Sequence, residues 1–204
     1  LYNLAFSKRS HSKAKVIAVT GSSGKTTVKT LLGKILKVFG DTYYSPKSFN
    51  NHYGVPFSLS NLENSHKFGV FEIGMSKKGE INNLSKLVKP NLGIITNIAE
   101  AHIENFKNIK EIAKAKGEII NNIDKGGSLI LNRDDKFFSF LKNLAENRVV
   151  KVLSFGNSTK SDIRLIKVFN YKNYKNLKIR ICDESLLLKV RNIETSNIYN
   201  ILCC

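Results

Sequence analysis

The residues best placed to do chemistry are Gly21, Ser22, Ser23, Gly24, Lys25, Thr26 and Thr27, a glycine-flanked turn ending in Lys-Thr. Gly21 and Gly24 permit a tight bend in which successive N–H groups converge on an anion, and the positive end of a following helix strengthens the attraction. Lys25 is then set to reach the outer phosphates of a nucleotide, and the Thr26 hydroxyl to ligate magnesium. The generic P-loop has four residues between its first glycine and the Gly-Lys pair, but Val19 stands at that first position. A chance Gly/Ser-rich turn is the competing interpretation. Context favours a phosphate cradle. The apolar run Val16-Ile17-Ala18-Val19 leads into the turn, and Val28, Leu31, Leu32, Ile35, Leu36 and Phe39 follow as one helical stripe stopped by Gly40.

Three more candidates lie beyond the carboxyl ends of later strands. Glu72 ends the apolar run Phe68-Gly69-Val70-Phe71, His102 follows the short strand Leu92–Thr96, and Lys116 sits in Ile112-Ala113-Lys114-Ala115-Lys116-Gly117-Glu118. Helical spacing puts Lys116 in line with Ile109, Ile112, Ala113, Ile119 and Ile120, whereas Lys114 shares a face with Lys110, Glu111 and Glu118. A lysine on an apolar face either snorkels from the edge of the core or is functional. Burial lowers its pKa and frees a neutral amine for reaction. Singly, Glu72 reads as a helix cap or surface acid and His102 as a satisfied polar side chain. Beside a magnesium-nucleotide site they become candidate metal ligands, since carboxylate oxygens and neutral imidazole reach divalent cations that bridge phosphates.

The elements that must position these groups alternate strand and helix. Strands are expected at 16–20, 42–45, 68–73, 92–96, 128–131 and 149–155, with helices after the turn, at about 80–88 and at about 109–121. Asn132-Arg133-Asp134-Asp135 caps another helix. Such alternation implies an α/β fold with a mostly parallel sheet flanked by helices and right-handed crossovers. Past Ile163 the pattern changes: Leu177–Ile181 and Leu186–Val190, joined at Asp183-Glu184, are expected as a small antiparallel extension near the C-terminus. Ser196–Leu202 begins a helix. Residues 1–15 are polar and basic and are expected to be the end of an upstream domain or a linker, with 16–204 as one domain.

Composition narrows the possibilities. No apolar run approaches the ~18 residues of a membrane span and residues 1–15 lack a signal-peptide core, so a cytoplasmic location is expected. Three cysteines, Cys182, Cys203 and Cys204, are too few and too poorly spaced for a disulfide framework or zinc site. The net charge of +17 raises the question of nucleic acid. Its lysines, however, are scattered through every segment among abundant Asn, Ile and Phe, so no specific nucleic-acid partner is expected. A basic surface still attracts anionic nucleotides.

Five ordered segments together carry a specific resemblance. Thr20–Thr27, Asn50-Asn51-His52-Tyr53-Gly54-Val55-Pro56, Glu72-Ile73-Gly74-Met75 with Gly79-Glu80-Ile81, Thr96–His102, and Ala113–Ile119 resemble the Mur ligase family, over about residues 15 to 202. Within it they are most similar to the branch that adds D-alanyl-D-alanine to UDP-N-acetylmuramoyl-tripeptide in peptidoglycan synthesis. Other branches of the family, and a non-catalytic nucleotide-binding module, are the alternatives. The resemblance implies a central ATPase domain flanked, in complete members, by an N-terminal domain for the UDP-sugar and a C-terminal domain. It implies transfer of the terminal phosphate of ATP to a carboxylate and attack of an amine on the resulting acyl phosphate. It assigns Lys25 to the transferring phosphate, Thr26 and Glu72 to one magnesium ion, His102 to a second, and Lys116 to a lysine carbamylated by carbon dioxide that contacts the second ion. Asn51 joins the nucleotide-binding set. Where the family pattern reads Gly-x-His-Asn-x-x-Asn near adenine, this chain has Glu194-Thr195-Ser196-Asn197-Ile198-Tyr199-Asn200, which leaves Asn200, supported by Asn197, as the adenine contact. A monomer is expected.

Overall fold

The computed structural model describes residues 1–100, 103–191 and 193–204. Among the described residues nine strands form one sheet in the order β2-β3-β1-β4-β5-β6-β7-β8-β9. They are β1 (Lys15–Thr20), β2 (Thr42–Tyr44), β3 (Phe68–Glu72), β4 (Leu92–Ile95), β5 (Ser128–Asn132), β6 (Lys151–Gly156), β7 (Ile163–Asn170), β8 (Tyr174–Ile181) and β9 (Glu184–Arg191). The helices are α1 (Tyr2–His11), α2 (Lys25–Leu36), α3 (Gly54–Ser60), α4 (Glu80–Val88), α5 (Ile109–Gly117), α6 (Phe138–Glu146) and α7 (Thr195–Leu202).

β1 is the axis of the molecule. It pairs in parallel with β3 on one side, Val19 opposite Glu72, and with β4 on the other, Thr20 opposite Ile95. Every residue of β1 after Lys15 is buried, as a parallel strand covered on both faces requires. Because side chains alternate, Val16 and Ala18 enter one core layer with Leu59, Phe71, Ile81, Leu87, Ile112 and Ile119. Ile17 and Val19 enter the other, with Val28, Leu32, Val70, Ile94, Phe155 and Ile198. Helices α3 to α6 therefore cover one face, and α2 with α7 the other. The parallel run reaches β6, and β7 joins it only at Phe155 opposite Ile163 and Gly156 opposite Arg164. β8 and β9 continue antiparallel, giving the extension expected from the sequence.

Several boundaries differ from the sequence expectation. Residues 2–11 form a helix with a single buried residue, Ala5, too little amphipathicity for periodicity to reveal. Arg9 fastens α1: Nε donates to Val88 O at 2.7 Å and Nη2 to Lys89 O at 2.7 Å, closing the carbonyl end of α4. The α2 stripe is shorter than its pattern. The helix stops at Leu36, and Ile35 and Phe39 are exposed. α5 stops at Gly117 and continues as a 3-10 turn, Glu118–Asn122, because Glu118 turns back to accept from Gly79 N at 2.9 Å and Asn82 N at 3.1 Å. β6 begins at Lys151 because Val149 lies in a turn with φ +57°. The hairpin turn is Cys182-Asp183, with Cys182 at φ +53°.

Candidate active site

The glycine turn sits at the carboxyl end of β1, between the sheet and α2. Val19, where a generic P-loop has its first glycine, is a fully buried strand residue, so the bend starts only at Gly21. Both glycines are required by space and by backbone. Gly21 has φ +146° and a Cβ there would run into Thr96 Oγ1; Gly24 has φ +79° and a Cβ there would run into Asn200 Oδ1. Gly24 is the N-cap of α2 and no side chain caps that first turn. The N–H groups of Lys25, Thr26 and Thr27 have no intrahelical partner by helix geometry and lie at the positive end of the helix dipole, which suits them to an anion.

The segment beyond β4 clamps the other half of the turn. Ser22 N donates to Asn97 O at 3.0 Å, Ser23 N to Asn97 Oδ1 at 3.0 Å, and Thr96 Oγ1 to Ser23 O at 2.6 Å. Ser22 Oγ donates to Ala99 O at 2.9 Å. Ile98 N is held by Asp135 Oδ2 at 2.7 Å. His102 falls outside the described residues.

Glu72 is 1% exposed and faces α2. Its Oε2 accepts from Thr26 Oγ1 at 2.8 Å and its Oε1 from Asn50 Nδ2 at 2.7 Å. Thr26 Oγ1 also meets Ser48 Oγ at 3.2 Å, and Glu72 N donates to Ser45 Oγ at 3.3 Å. A hydroxyl and a carboxylate converging at the edge of a phosphate cradle form a hard-oxygen donor set that suits magnesium. Ser45, Ser48 and Asn50 had no periodic signal in the sequence, because they come from an irregular segment between β2 and α3. The Asn-rich composition of 46–54 was the available hint. Asn51 Oδ1 accepts from Tyr53 N at 3.1 Å and Gly54 N at 2.9 Å, holding the turn into α3.

Lys116 is 3% exposed, so its side chain is enclosed rather than snorkelling to solvent. Lys114, two positions away, is exposed and paired with Glu111 at 2.7 Å. The Nζ of Lys116 donates to Gly21 O at 3.0 Å. Lys25 Nζ donates to the same oxygen at 2.9 Å. Burial, and secondarily the Lys25 cation, push the Lys116 pKa down to about 7. Burial also lowers Lys25, with Glu72 acting in the opposite direction. Two ammonium groups gathered on one carbonyl repel each other, and an anion between them relieves that repulsion.

Two clefts flank the turn. One, of about 460 Å³, is lined by Lys25, Asn50, Asn51, His52, Glu80 and Lys116 among others. The second, of about 440 Å³, is lined by Ser23, Gly24, Thr27, Asn197, Tyr199 and Asn200 among others. Asn200 is mostly buried against Gly24, and its Nδ2 donates to Asn197 Oδ1 at 3.2 Å. Tyr199 was missed in the sequence. Its hydroxyl donates to Asp134 Oδ2 at 2.9 Å and accepts from Asn157 Nδ2 at 2.7 Å, and burial with the Asp134 charge raises its pKa to about 12. Asp134 lies just past the carboxyl end of β5, the position at which open α/β sheets place ligand-binding groups.

The chain matches the Mur ligase middle domain over residues 19–204. It is 40% identical over 170 residues to the UDP-N-acetylmuramoyl-tripeptide–D-alanyl-D-alanine ligase of Rickettsia prowazekii, covering 81% of this chain and 37% of that one. Its structure resembles that of MurF from Acinetobacter baumannii with a TM-score of 0.92 and 30% identity, covering 99% of this chain and 44% of that one. MurF ligase from Thermotoga maritima, solved in complex with ADP, superposes with a TM-score of 0.88 at 27% identity, covering 99% of this chain and 46% of that one. The chain thus spans under half the length of these relatives. The cradle, the buried acid and lysine facing it, and the family match over nearly the whole chain together place this protein in the Mur ligase family.

Proposed function

We propose that residues 16–204 are the central ATP-binding domain of a ligase that joins D-alanyl-D-alanine to UDP-N-acetylmuramoyl-tripeptide, a cytoplasmic step of peptidoglycan precursor synthesis. The observation that carries this reading is the convergence of Lys25 and Lys116 on Gly21 O between two clefts. Support for the substrates comes from the name of the Rickettsia prowazekii relative, and for the nucleotide from the ADP held by the Thermotoga maritima relative. Among the described residues no helix is long and apolar enough to cross a membrane.

In this reading the nucleotide base occupies the cleft beside Asn197 and Asn200, and its phosphates cross the turn along Gly21, Ser22, Ser23, Gly24 and Thr27. Lys25 neutralises the terminal phosphate, which points into the cleft lined by Asn51 and Lys116. The substrate carboxylate sits there and attacks the terminal phosphorus. The bond from phosphorus to the bridging oxygen breaks and ADP leaves. The amine of the dipeptide then attacks the acyl phosphate carbonyl, loses a proton, and phosphate departs. Thr26 and Glu72 would hold one magnesium ion, and His102 with carbamylated Lys116 a second; bound magnesium neutralises phosphate charge. Lys116 suits carbamylation because burial lowers its pKa to about 7, so that the neutral amine is populated near neutral pH. The neutral nitrogen bonds to the carbon of carbon dioxide and releases one proton, so the enclosed amine becomes an anionic oxygen donor.

The test is phosphate release by the protein completed with its flanking coding sequence. Release is expected to require ATP, UDP-N-acetylmuramoyl-tripeptide and D-alanyl-D-alanine together. Equal release with a single amino acid in place of the dipeptide would contradict the acceptor assignment.

A further inference from the structure

Lys29, on α2 one turn beyond Thr26, is among the bulkiest enclosed side chains, at 1% exposure. A lysine is rarely enclosed unless its charge is compensated. Its Nζ donates to Lys47 O. Lys47 has φ +46°, a left-handed conformation that a non-glycine residue holds only under constraint from its surroundings. Residues 45–50 run as a strap over this point and carry three groups onto the Thr26–Glu72 pair. Ser45 Oγ accepts from Glu72 N, Ser48 Oγ meets Thr26 Oγ1, and Asn50 Nδ2 donates to Glu72 Oε1. Asn50 O in turn accepts from Gly74 N at 2.7 Å, just after β3. The apolar stripe of α2 does not include position 29, so burial of this lysine comes from the strap folding over it.

We propose that Lys29 is a positioning residue whose enclosed ammonium, bonded to the Lys47 carbonyl, holds residues 45–50 in place so that the Thr26 hydroxyl and Glu72 carboxylate stay converged for a divalent cation. This rests on the magnesium role given above to Thr26 and Glu72. Lys29 lines neither cleft, and its ammonium lies near enough to Glu72 for the carboxylate charge to favour the protonated lysine. Its effect is therefore on cation affinity rather than on nucleotide affinity as such. A lysine that merely filled space would alter both or neither.

The experiment compares wild type, Lys29→Met and Asn50→Ala in two measurements. The first is binding of a fluorescent ATP analogue with magnesium titrated in and with magnesium chelated. Lys29→Met is expected to raise the half-saturating magnesium concentration at least about tenfold while changing the chelated affinity less than about twofold. Asn50→Ala, on an irregular segment whose loss of one side chain leaves the core intact, is expected to shift magnesium dependence in the same direction. The second is amide hydrogen exchange. Residues 45–50 are expected to exchange at least about tenfold faster in Lys29→Met, with β1 and β3 unchanged. Wild-type binding that depends on magnesium, together with both variants keeping that dependence, would overturn the inference alone. If Lys29→Met does not fold, an unchanged magnesium dependence in Asn50→Ala overturns it. Wild-type binding indifferent to magnesium would overturn the metal assignment to Thr26 and Glu72 and this inference with it.

Discussion

Replacing Lys116 by Met should make the protein more stable at neutral and acid pH while removing the group proposed for carbamylation. The magnitude follows from the enclosure of the ammonium. A fall from the ordinary lysine value of 10.5 to about 7 corresponds to a cost of about 5 kcal/mol for holding the charged form in the folded state. The lost hydrogen bond to Gly21 O returns about 1–2 kcal/mol of that, so a net gain of about 3 kcal/mol is expected for Lys116→Met below pH 7. The sign of the pH dependence is fixed by linkage. Between about pH 7 and 10.5 the unfolded chain binds the lysine proton and the folded chain does not, so wild-type stability rises with pH across that window. From pH 7 to pH 9 this one group contributes a rise of about 2 kcal/mol. Urea unfolding of both proteins at pH 6, 7, 8 and 9, in carbon-dioxide-depleted buffer, reads the difference directly. The gap between variant and wild type should be largest at pH 6 and narrow by about 2 kcal/mol between pH 7 and pH 9. A variant that is less stable throughout, or a gap that does not move with pH, would refute the enclosed-cation account.

Other expectations follow from single contacts. Gly24→Ala forces a Cβ into a left-handed position facing Asn200 and should lower ATP affinity at least about tenfold, measured by fluorescent nucleotide titration; near-native affinity would argue against the cradle. Tyr199→Phe removes the hydroxyl joining Asp134 and Asn157 and should cost about 1 kcal/mol, seen as a melting-temperature drop of about 2–4 °C. Arg9→Met leaves the Val88 and Lys89 carbonyls without their donor; a loss of about 1–3 kcal/mol in urea unfolding is expected, and no loss would mean that these two bonds do not fasten α1.

What could be read from the sequence was local or periodic. The phosphate turn needed only contiguous residues, and the alternating strands and helices gave the parallel sheet and its antiparallel extension. Lys116 stood out because helical spacing placed a charge among Ile109, Ile112 and Ile119, and the structure encloses it. What could not be read depends on residues far apart in the chain or on helices without a strong apolar face. The strand order puts β1 between β3 and β4, and nothing periodic encodes that choice. Lys29 looks solvent-facing from its helix alone and is enclosed by a strap from residues 45–50. Asn50 and Tyr199 act through partners 22 and 65 residues away. Helix α1 has only Ala5 in the core and so leaves no periodic trace.

The most direct test of the central claim, that this turn grips the phosphates of ATP through Lys25, is calorimetric titration of the 204-residue chain with ATP and magnesium. Binding by the wild type and none by Lys25→Ala at the same concentrations is expected, with both proteins folded. Equal binding by Lys25→Ala would contradict it.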